Sequence, residues 1–133
     1  MFEWKQEYSV GIGIIDGQHQ NLFAMARDLY AAMSTGQGKL AVGRILDRLV
    51  HYTGVHFAYE ERLMQQHSYP NLAQHKAEHD ALTKKVLALQ ADHAAGKVAM
   101  TIQLLQFLKD WLEHHIKESD HAYSPYLKAK AVV

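Results

Sequence analysis

The stretch LAVGRILDRLVHYTGVHFAYEERLMQQH, residues 40–67, decides the fold of this chain. Its apolar residues recur three or four positions apart, which is the spacing of one face of an α-helix. The face predicted to point inward comprises Ile45, Leu46, Leu49, Thr53, Phe57, Leu63 and Met64. The stretch therefore predicts one long amphipathic helix, whose apolar face other helices must cover.

Three further segments show the same periodicity, and glycine and proline separate them. The helices predicted there run from about Gly17 to Ser34, from Pro70 to Ala95 and from Ala99 to Ser119. Residues 1–16 form an N-terminal arm, in which Gly13 disfavours a helix, and residues 120–133 form a C-terminal tail. Four amphipathic helices with short connections predict a single all-α domain over residues 1–133. Its architecture is an up-down-up-down antiparallel four-helix bundle with an N-terminal arm.

The composition excludes several classes of function. Fourteen basic and fourteen acidic residues give zero net charge, so nothing favours nucleic acid or an anionic membrane as a partner. The absence of cysteine excludes disulfides, thiolate ligands and cysteine nucleophiles. No apolar run approaches the roughly 18 residues of a membrane-spanning helix, and the first residues are too polar for a signal peptide. We therefore expect a cytoplasmic monomer that does not insert into membranes.

Histidine is the outlier of the composition, at ten of 133 residues. Five histidines and two carboxylates fall on the apolar faces of the four predicted helices; they are His19, His56, Glu60, His75, His79, His115 and Asp120. Burying such groups without partners costs much free energy, and a metal centre would give all seven a partner at once. We expect the other histidines to be solvated surface residues; they are His51, His67, His93, His114 and His121.

Helix geometry indicates which of these side chains can meet. Residues four apart lie on one face, as do His56 and Glu60 on one helix and His75 and His79 on the next. The pair of His115 and Asp120 is five apart, which separates two side chains by about 140° on an ideal helix. These two can reach one centre only if the helix loosens near its end.

The set of donors predicts two metal ions rather than one. Imidazole and carboxylate without sulfur suit iron, zinc or manganese, and seven ligands are too many for one tetrahedral zinc. Five imidazoles, two bridging carboxylates and one bridging solvent oxygen fill about eleven of the roughly twelve positions of two six-coordinate ions. The remaining position suits one small ligand.

These residues match a known family. The stretches Gln18-His19, His56-x-x-x-Glu60, His75-x-x-x-His79 and Trp111-Leu112-x-x-His115-Ile116-x-x-x-Asp120 resemble those of hemerythrins, specifically the single-domain bacteriohemerythrins. The resemblance covers essentially the whole chain and implies a non-haem di-iron centre, two iron ions with a bridging oxo or hydroxo group. The ligands that it implies are His75, His79 and His115 on one iron, His19 and His56 on the other, and Glu60 and Asp120 as bridges.

The resemblance also implies a function, since in hemerythrins dioxygen binds reversibly at the two-histidine iron. It predicts oxygen storage, or delivery to an oxygen-consuming enzyme, with no catalytic residues in this chain. Leu112 matches a position that lines the oxygen pocket, and Ile116 and Trp111 are further candidates for that lining. Ferritin-like di-iron enzymes use four glutamates and two histidines, whereas this site is richer in neutral imidazole. Neutral ligands favour the ferrous state, which suits carrying oxygen better than activating it.

One alternative from another class is a metallopeptidase. The run His75-Lys-Ala-Glu78-His79 satisfies the H-x-x-E-H pattern of inverted zinc peptidases, in which Glu78 would be the base. This interpretation leaves three of the predicted ligands unexplained.

Two alternatives keep the di-iron centre but change its use. A di-iron enzyme, peroxidase-like or reducing nitric oxide, needs a proton relay, for which Tyr52, Tyr59 or Tyr123 would have to face inward. A module that senses oxygen or iron would instead form a complex with another protein that changes on oxygenation.

Overall fold

The structure, a computed structural model, describes residues 2–96, 102–130 and 132. Within them all regular structure is helical, and a short 3₁₀ helix, Gln6–Tyr8, comes first. The longer elements are α1 (Gly13–Ser34), α2 (Lys39–Gln66), α3 (Leu72–Ala94), α4 (Ile102–His114), a π-helical turn (His115–Asp120) and α5 (His121–Ala129). Helices α1 to α4 form the predicted four-helix bundle. None of the helices in the described part of the chain has both the length and the apolar character needed to cross a membrane.

Neighbouring helices of the bundle run in opposite directions. Residues near the start of one helix contact residues near the end of the next, as short connections require. Ile15 at the start of α1 shares an apolar cluster with Met64 at the end of α2, and Lys39 at the start of α2 accepts a hydrogen bond from His93 at the end of α3. Lys85, in the second half of α3, lies over the ring of Phe107, in the first half of α4. The predicted up-down-up-down topology is therefore confirmed.

The apolar core has two main parts. One part contains Phe23, Leu29 and Leu46, from the middle of α1 and the first half of α2. The other part contains Ile15 and Met64, from the start of α1 and the end of α2. The polar residues predicted as metal ligands on these two helices fall between the two parts, so apolar side chains lie on both sides of them along the bundle.

The N-terminal arm is shorter than predicted, because α1 begins at Gly13, four residues earlier than expected. The carboxylate of Asp16 accepts a hydrogen bond from the backbone N–H of Val10 (2.8 Å), which ties the arm to the first turn of the helix. Gly11 makes the bend before it with a φ of +73°, a conformation that favours glycine. Ile15 is fully buried and anchors this turn, which outweighs the low helix propensity of Gly13.

The prediction of a C-terminal tail over residues 120–133 is wrong, since most of that segment is helical. Tyr123 and Leu127 lie four apart on α5, and both are fully buried against the end of α2 and the arm. Their burial stabilises the helix although Pro125 lies inside it. The four-residue spacing of these two large apolar side chains is typical of a helix, but Pro125 between them favoured the prediction of a tail.

Two other helix ends differ from the predicted bounds. Helix α3 begins at Leu72 rather than Pro70, because the N–H of Leu72 bonds to the carbonyl of Tyr69 (3.2 Å) and closes a turn. Pro70 takes the second position of that turn, where its fixed φ fits. The predicted start of the fourth helix, Ala99, lies outside the described residues. The α-helical part of the fourth helix ends at His114, and the π-helical turn follows from His115.

Candidate metal centre

Seven buried polar side chains meet where α1, α2, α3 and the π-helical turn come together. They are His19, His56, Glu60, His75, His79, His115 and Asp120, each at most 3% exposed. Each bundle helix, or the turn that continues it, supplies at least one of them. The structure thus brings together all seven side chains that the sequence singled out.

Five of the seven form a first group, with one donor atom from each within 4.8 Å of the others: Glu60, His75, His79, His115 and Asp120. The Oδ1 of Asp120 lies 3.0 Å from the Nε2 of His75 and 3.2 Å from the Nε2 of His115. The Nε2 atoms of His79 and His115 face each other at 3.1 Å. Three imidazoles and two carboxylates therefore surround one point.

A second group contains His19, His56 and Glu60. The Nε2 of His56 lies 3.1 Å from Oε1 of Glu60, and the Nε2 of His19 lies 3.1 Å from Oδ2 of Asp120. Glu60 belongs to both groups, and Asp120 turns one oxygen toward each. The two groups therefore share both carboxylates, as a pair of bridged metal ions requires.

The donor atoms fit metal ions better than they fit one another. Two ligands at about 2.1 Å from one ion and at right angles lie about 3.0 Å apart, close to the spacings observed here. Among the described residues, the Nε2 atoms of His19 and His75 and both oxygens of Asp120 have no hydrogen-bond partner despite these short distances. These atoms lie close together without meeting the geometry of hydrogen bonds to one another. Buried polar atoms without a hydrogen-bond partner cost free energy, and binding a metal ion would remove that cost.

The π-helical turn explains how His115 and Asp120 can serve one centre. Residues five apart lie on one face of a π-helix, whereas an α-helix would turn them away from each other. The π-helical turn begins at His115 and ends at Asp120. The loosening of the helix that the five-residue spacing demands is therefore present in the structure.

The buried charges compensate each other. Burial acts to lower the pKa of His19 and His115, but the adjoining carboxylate of Asp120 raises the pKa of both above its ordinary value. Burial acts in the opposite sense on Asp120, and the surrounding imidazoles, His115 first, hold its pKa well below the usual range. Burial and Asp120 both act to raise the pKa of Glu60, yet His56 and His79 bring it below its ordinary value. The carboxylates are thus kept in the anionic form that binds cations.

Tyr123 is a contact of the centre that the sequence only raised as a possibility. Its side chain is fully buried and its O–H donates a hydrogen bond to Oε2 of Glu60. Burial and the charge of Glu60 raise the pKa of Tyr123 well above its ordinary value, so the hydroxyl keeps its proton. The other two tyrosines considered, Tyr52 and Tyr59, are only partly buried, and Tyr52 accepts a bond from Asn21 (3.1 Å).

Hydrogen bonds on the Nδ1 side also hold two of the imidazoles that are predicted as ligands. The Nδ1–H of His79 donates to Oε2 of Glu61 (2.8 Å), and the Nδ1–H of His56 donates to Oε1 of Gln18 (2.6 Å). The ring of Phe57 stacks on His79 at 3.8 Å with the planes 2° apart. Sequence reasoning missed Glu61, although its place directly after Glu60 on a helix that faces α3 was a usable signal.

An apolar cavity of about 50 Å³ lies beside the centre. Its lining includes Leu22, Thr53, Phe57 and Leu112, each within one helical turn of a predicted ligand. Of the three residues predicted to line an oxygen pocket, Leu112 lines this cavity. The other two are placed differently: Ile116 is fully buried in the core, and Trp111 stacks on the ring of His115 at 4.5 Å.

The structure disfavours the metallopeptidase interpretation. The carboxylate of Glu78 accepts hydrogen bonds from the hydroxyl of Ser119 at 2.8 and 2.9 Å. It lies 3.9 Å from the Nδ1 of His115, behind that ring rather than on the Nε2 side where the donors converge. A general base would have to lie on the Nε2 side, where the donor atoms converge, and Glu78 does not.

One of the remaining histidines does not lie at the surface as predicted. His93 is buried, with an exposed fraction of 8%, and its Nε2–H donates to the carbonyl of Lys39 (3.1 Å). It therefore serves to join the end of α3 to the start of α2. His51 and His114 are exposed, as predicted, whereas the remaining two, His67 and His121, are partly buried.

Known proteins are similar to this chain in both sequence and fold. The family described as the hemerythrin HHE cation binding domain matches residues 10–127. A bacteriohemerythrin of Methylococcus capsulatus is 37% identical over 92% of this chain and 93% of its own length. A bacteriohemerythrin of Stenotrophomonas maltophilia is 36% identical over 95% of this chain and 81% of its own length. The crystal structure of a wild-type hemerythrin superposes with a TM-score of 0.90 at 36% identity, covering 94% of this chain and 96% of that one.

Proposed function

This chain belongs to the hemerythrin family, and we propose that it binds dioxygen reversibly at a non-haem di-iron centre, for storage or for delivery to an oxygen-requiring enzyme. The observation that carries the proposal is the convergence of seven buried side chains into two groups that have Glu60 in common, with Asp120 turning one oxygen toward each group. The iron ions, when bound, supply the reversible exchange of electrons with dioxygen. Everything else follows from what the residues of the chain do around them.

We assign the two groups of donors to the two ions. His75, His79 and His115 would hold one iron, His19 and His56 would hold the other, and Glu60 and Asp120 would serve both. The positions of the two oxygens of Asp120, one beside each group, support its bridging role. Five neutral imidazoles and two carboxylates leave the pair of ions with few anionic ligands, which favours the ferrous state and hence release of the ligand.

The apolar surroundings keep water and protons away from the centre. The cavity is lined almost wholly by hydrocarbon side chains, Leu112 among them, and it has room for a molecule of a few atoms. A dry pocket slows the entry of protons, which would otherwise promote irreversible oxidation. We propose that dioxygen passes through this cavity and that Leu112 lies nearest its path.

A visible absorption spectrum of the reduced, iron-loaded protein tests the proposal. We expect a charge-transfer band that appears on exposure to air and disappears when the sample is returned to argon. The variant His115→Ala should lose the band, while His114→Ala, which changes the exposed neighbouring histidine, should keep it. Irreversible bleaching of the wild-type protein to a ferric form, or binding of zinc in preference to iron, contradicts reversible oxygen binding.

A second candidate function is that of a di-iron enzyme, and the position of Tyr123 favours it. A buried phenol bonded to Glu60 could carry a proton to the centre, as peroxide or nitric oxide reduction requires. Steady turnover of hydrogen peroxide or nitric oxide that Tyr123→Phe abolishes would support this function. Turnover that is negligible in the wild-type protein leaves the carrier function as the sole proposal.

We further propose that the chain works as a monomer in the cytoplasm. The large apolar side chains exposed in the described residues are distributed over all four bundle helices; they are Ile14, Leu40, Val55, Leu87 and Phe107. Such scattered residues need no partner to cover them. Light scattering on the purified protein should give the mass of one chain, and a dimer mass at micromolar concentration would be inconsistent with the proposal.

A further inference from the structure

The Nδ1 atoms of the ligand histidines face different groups in the two halves of the centre. Behind the three-histidine group, His79 donates to the carboxylate of Glu61 at 2.8 Å. Behind the two-histidine group, His56 donates to the neutral amide oxygen of Gln18 at 2.6 Å. His19 of that group and His115 of the three-histidine group each have a buried Nδ1 with no hydrogen-bond partner among the described residues. The two halves therefore differ in outer charge as well as in the number of histidines.

We propose that Glu61 is a charged positioning residue for the three-histidine iron. It fixes the proton of His79 on Nδ1, turns Nε2 toward the metal and makes that iron the more tightly held and the more easily oxidised of the two. Gln18 gives the same orientation to His56 without a charge. This inference rests on the proposed function, since it takes the assignment of the two irons as its starting point.

The position of Glu61 on α2 allows its carboxylate to contact His79. Glu60 points into the centre, and the next residue is turned by about 100° around the helix toward α3. One turn earlier, Phe57 lies on the same face of α2, and its ring stacks on His79 with an interplanar angle of 2°. The phenyl ring therefore fixes the plane of the imidazole while the carboxylate fixes its rotation. Together they leave the ring of His79 one orientation.

The charge of Glu61 acts through the imidazole. A carboxylate that accepts the Nδ1–H of a ligand histidine increases the electron density at Nε2, so the ring binds a metal ion more strongly. The effect is greatest for the more highly charged ferric ion, for which it favours oxidation. The side chain of Glu61 is 22% exposed, so solvent weakens its field only in part. A neutral amide such as that of Gln18 orients the ring but donates less density.

A second carboxylate adds negative charge on the same side of the centre. Glu78 lies 3.9 Å from the Nδ1 of His115, and two short contacts to the hydroxyl of Ser119 hold it in place. At that distance its effect is that of a nearby charge rather than of a hydrogen bond. Glu61 and Glu78 both belong to the half with three histidines, whereas Asp16, the outer carboxylate that acts on His19 in the other half, does so without a hydrogen bond.

Two complementary variants test the inference. Glu61→Gln keeps an acceptor for His79 but removes the charge, and Gln18→Glu adds a charge behind His56. The matched control is Asp80→Asn, which removes a charge one residue from His79 on an exposed side chain that pairs with Lys76. The readouts are the release of ferrous iron to a colorimetric chelator, followed over time, and the midpoint potential of the loaded protein in a mediated titration.

We expect the wild-type protein to release iron in two phases. Glu61→Gln should accelerate the slower phase by about tenfold to a hundredfold, the range found when outer partners of metal ligands are changed, and raise the midpoint potential. Gln18→Glu should slow the faster phase and lower the potential, and Asp80→Asn should leave both quantities unchanged. Glu61→Asp, which keeps a carboxylate at this position, should release iron more slowly than Glu61→Gln and have a lower midpoint potential.

The outcomes separate this inference from the proposed function. If the wild-type protein takes up two irons and shows the reversible oxygen-dependent band, but Glu61→Gln releases iron as the wild-type protein does, the inference alone fails. It also fails if Glu61→Gln and Asp80→Asn shift the potential equally, because the effect would then be one of net charge. If Glu61→Gln does not fold, Gln18→Glu decides, since an unchanged faster phase in that variant contradicts the role of outer charge.

Discussion

At the scale of single residues, side chains that are unfavourable in isolation become stable through their neighbours. Asp120 is buried completely, yet three imidazoles lie within about 3 Å of its oxygens and hold it anionic. The same rule applies away from the centre, at Tyr8. Its hydroxyl donates to Glu113 (2.9 Å), whose carboxylate also pairs with Lys109 (2.9 Å) and joins the 3₁₀ helix to α4.

The first prediction concerns this tyrosine and has a defined pH dependence. Burial, and then the bond to Glu113, raise the pKa of Tyr8 to about 12, whereas in the unfolded chain it is about 10. Tyr8→Phe should lower the free energy of unfolding by about 1.5 kcal/mol at pH 7, because a hydrogen bond to a charged acceptor is lost. The raised pKa means that this contribution is complete below pH 10 and disappears as the pH rises through about 12.

Urea unfolding of both proteins between pH 7 and pH 12 provides the measurement. The difference in unfolding free energy between the wild-type protein and Tyr8→Phe should stay constant up to about pH 10 and then shrink. A difference that grows with pH would show that the sign of the pKa shift is wrong.

The second prediction concerns Leu112 and the apolar cavity. Leu112→Phe adds volume to a lined space of about 50 Å³ and should cost about 1–3 kcal/mol of stability by overpacking. Dioxygen should also bind more slowly, because the cavity becomes narrower. Stopped-flow absorption of the reduced protein mixed with oxygenated buffer measures the rate. Leu112→Met conserves the volume and serves as the control, and an unchanged rate in Leu112→Phe would place the path of the ligand elsewhere.

At the scale of elements, the helix ends fix how the bundle closes. Helix α1 ends in a Schellman motif, in which Gln37 N–H bonds to the carbonyl of Ala32 (3.0 Å) and Gly36 adopts a φ of +70°. Helix α2 ends in the same way, with Tyr69 N–H bonded to the carbonyl of Met64 (2.9 Å). The position that corresponds to Gly36 is occupied there by Ser68, at a φ of +54°.

The third prediction follows from this difference. A non-glycine residue in the left-handed region costs roughly 1–2 kcal/mol, and Ser68 is exposed, so its side chain packs against little. Ser68→Gly should therefore raise the free energy of unfolding by about 1 kcal/mol. Chemical denaturation measures the gain, and Ser68→Ala, which removes the hydroxyl but keeps the Cβ, should show none. Equal stability of the glycine and alanine variants would refute the backbone explanation.

At the scale of the whole molecule, the four-helix bundle brings together the predicted ligands from distant parts of the sequence. His19 and Asp120 are about a hundred positions apart in the chain, yet Nε2 and Oδ2 of the two lie 3.1 Å from each other. The apolar clusters on either side of the polar layer exclude water from it. Because seven polar groups share one buried layer, folding and metal binding must support each other.

The fourth prediction concerns removal of the metal. Chelation of iron under reducing conditions should lower the melting temperature by about 10–20 °C, since binding at a thousandfold excess over Kd contributes about 4 kcal/mol. Differential scanning calorimetry before and after chelation measures the change. Ferrous iron should restore the transition, whereas magnesium, which prefers oxygen ligands, should not. A melting temperature unaffected by chelation would mean that the seven side chains do not bind iron.

The four bundle helices, and the side chains on their apolar faces, were determined by the sequence alone, because periodicity is a local property that each segment carries by itself. For the same reason His56 with Glu60 and His75 with His79 could be paired by spacing. The sequence could not show that Tyr123-x-x-x-Leu127 overrides Pro125, since only burial against the end of α2 stabilises α5.

Contacts between elements were decided by the tertiary structure alone. His115 and Asp120, five residues apart, meet only because the chain forms a π-helical turn where it packs against α3. Likewise Glu61 faces His79 and Gln18 faces His56 because of how α2 is rotated against its neighbours. Local periodicity specifies which face of a helix is buried, but which atom meets which across the core depends on the packing of the whole bundle.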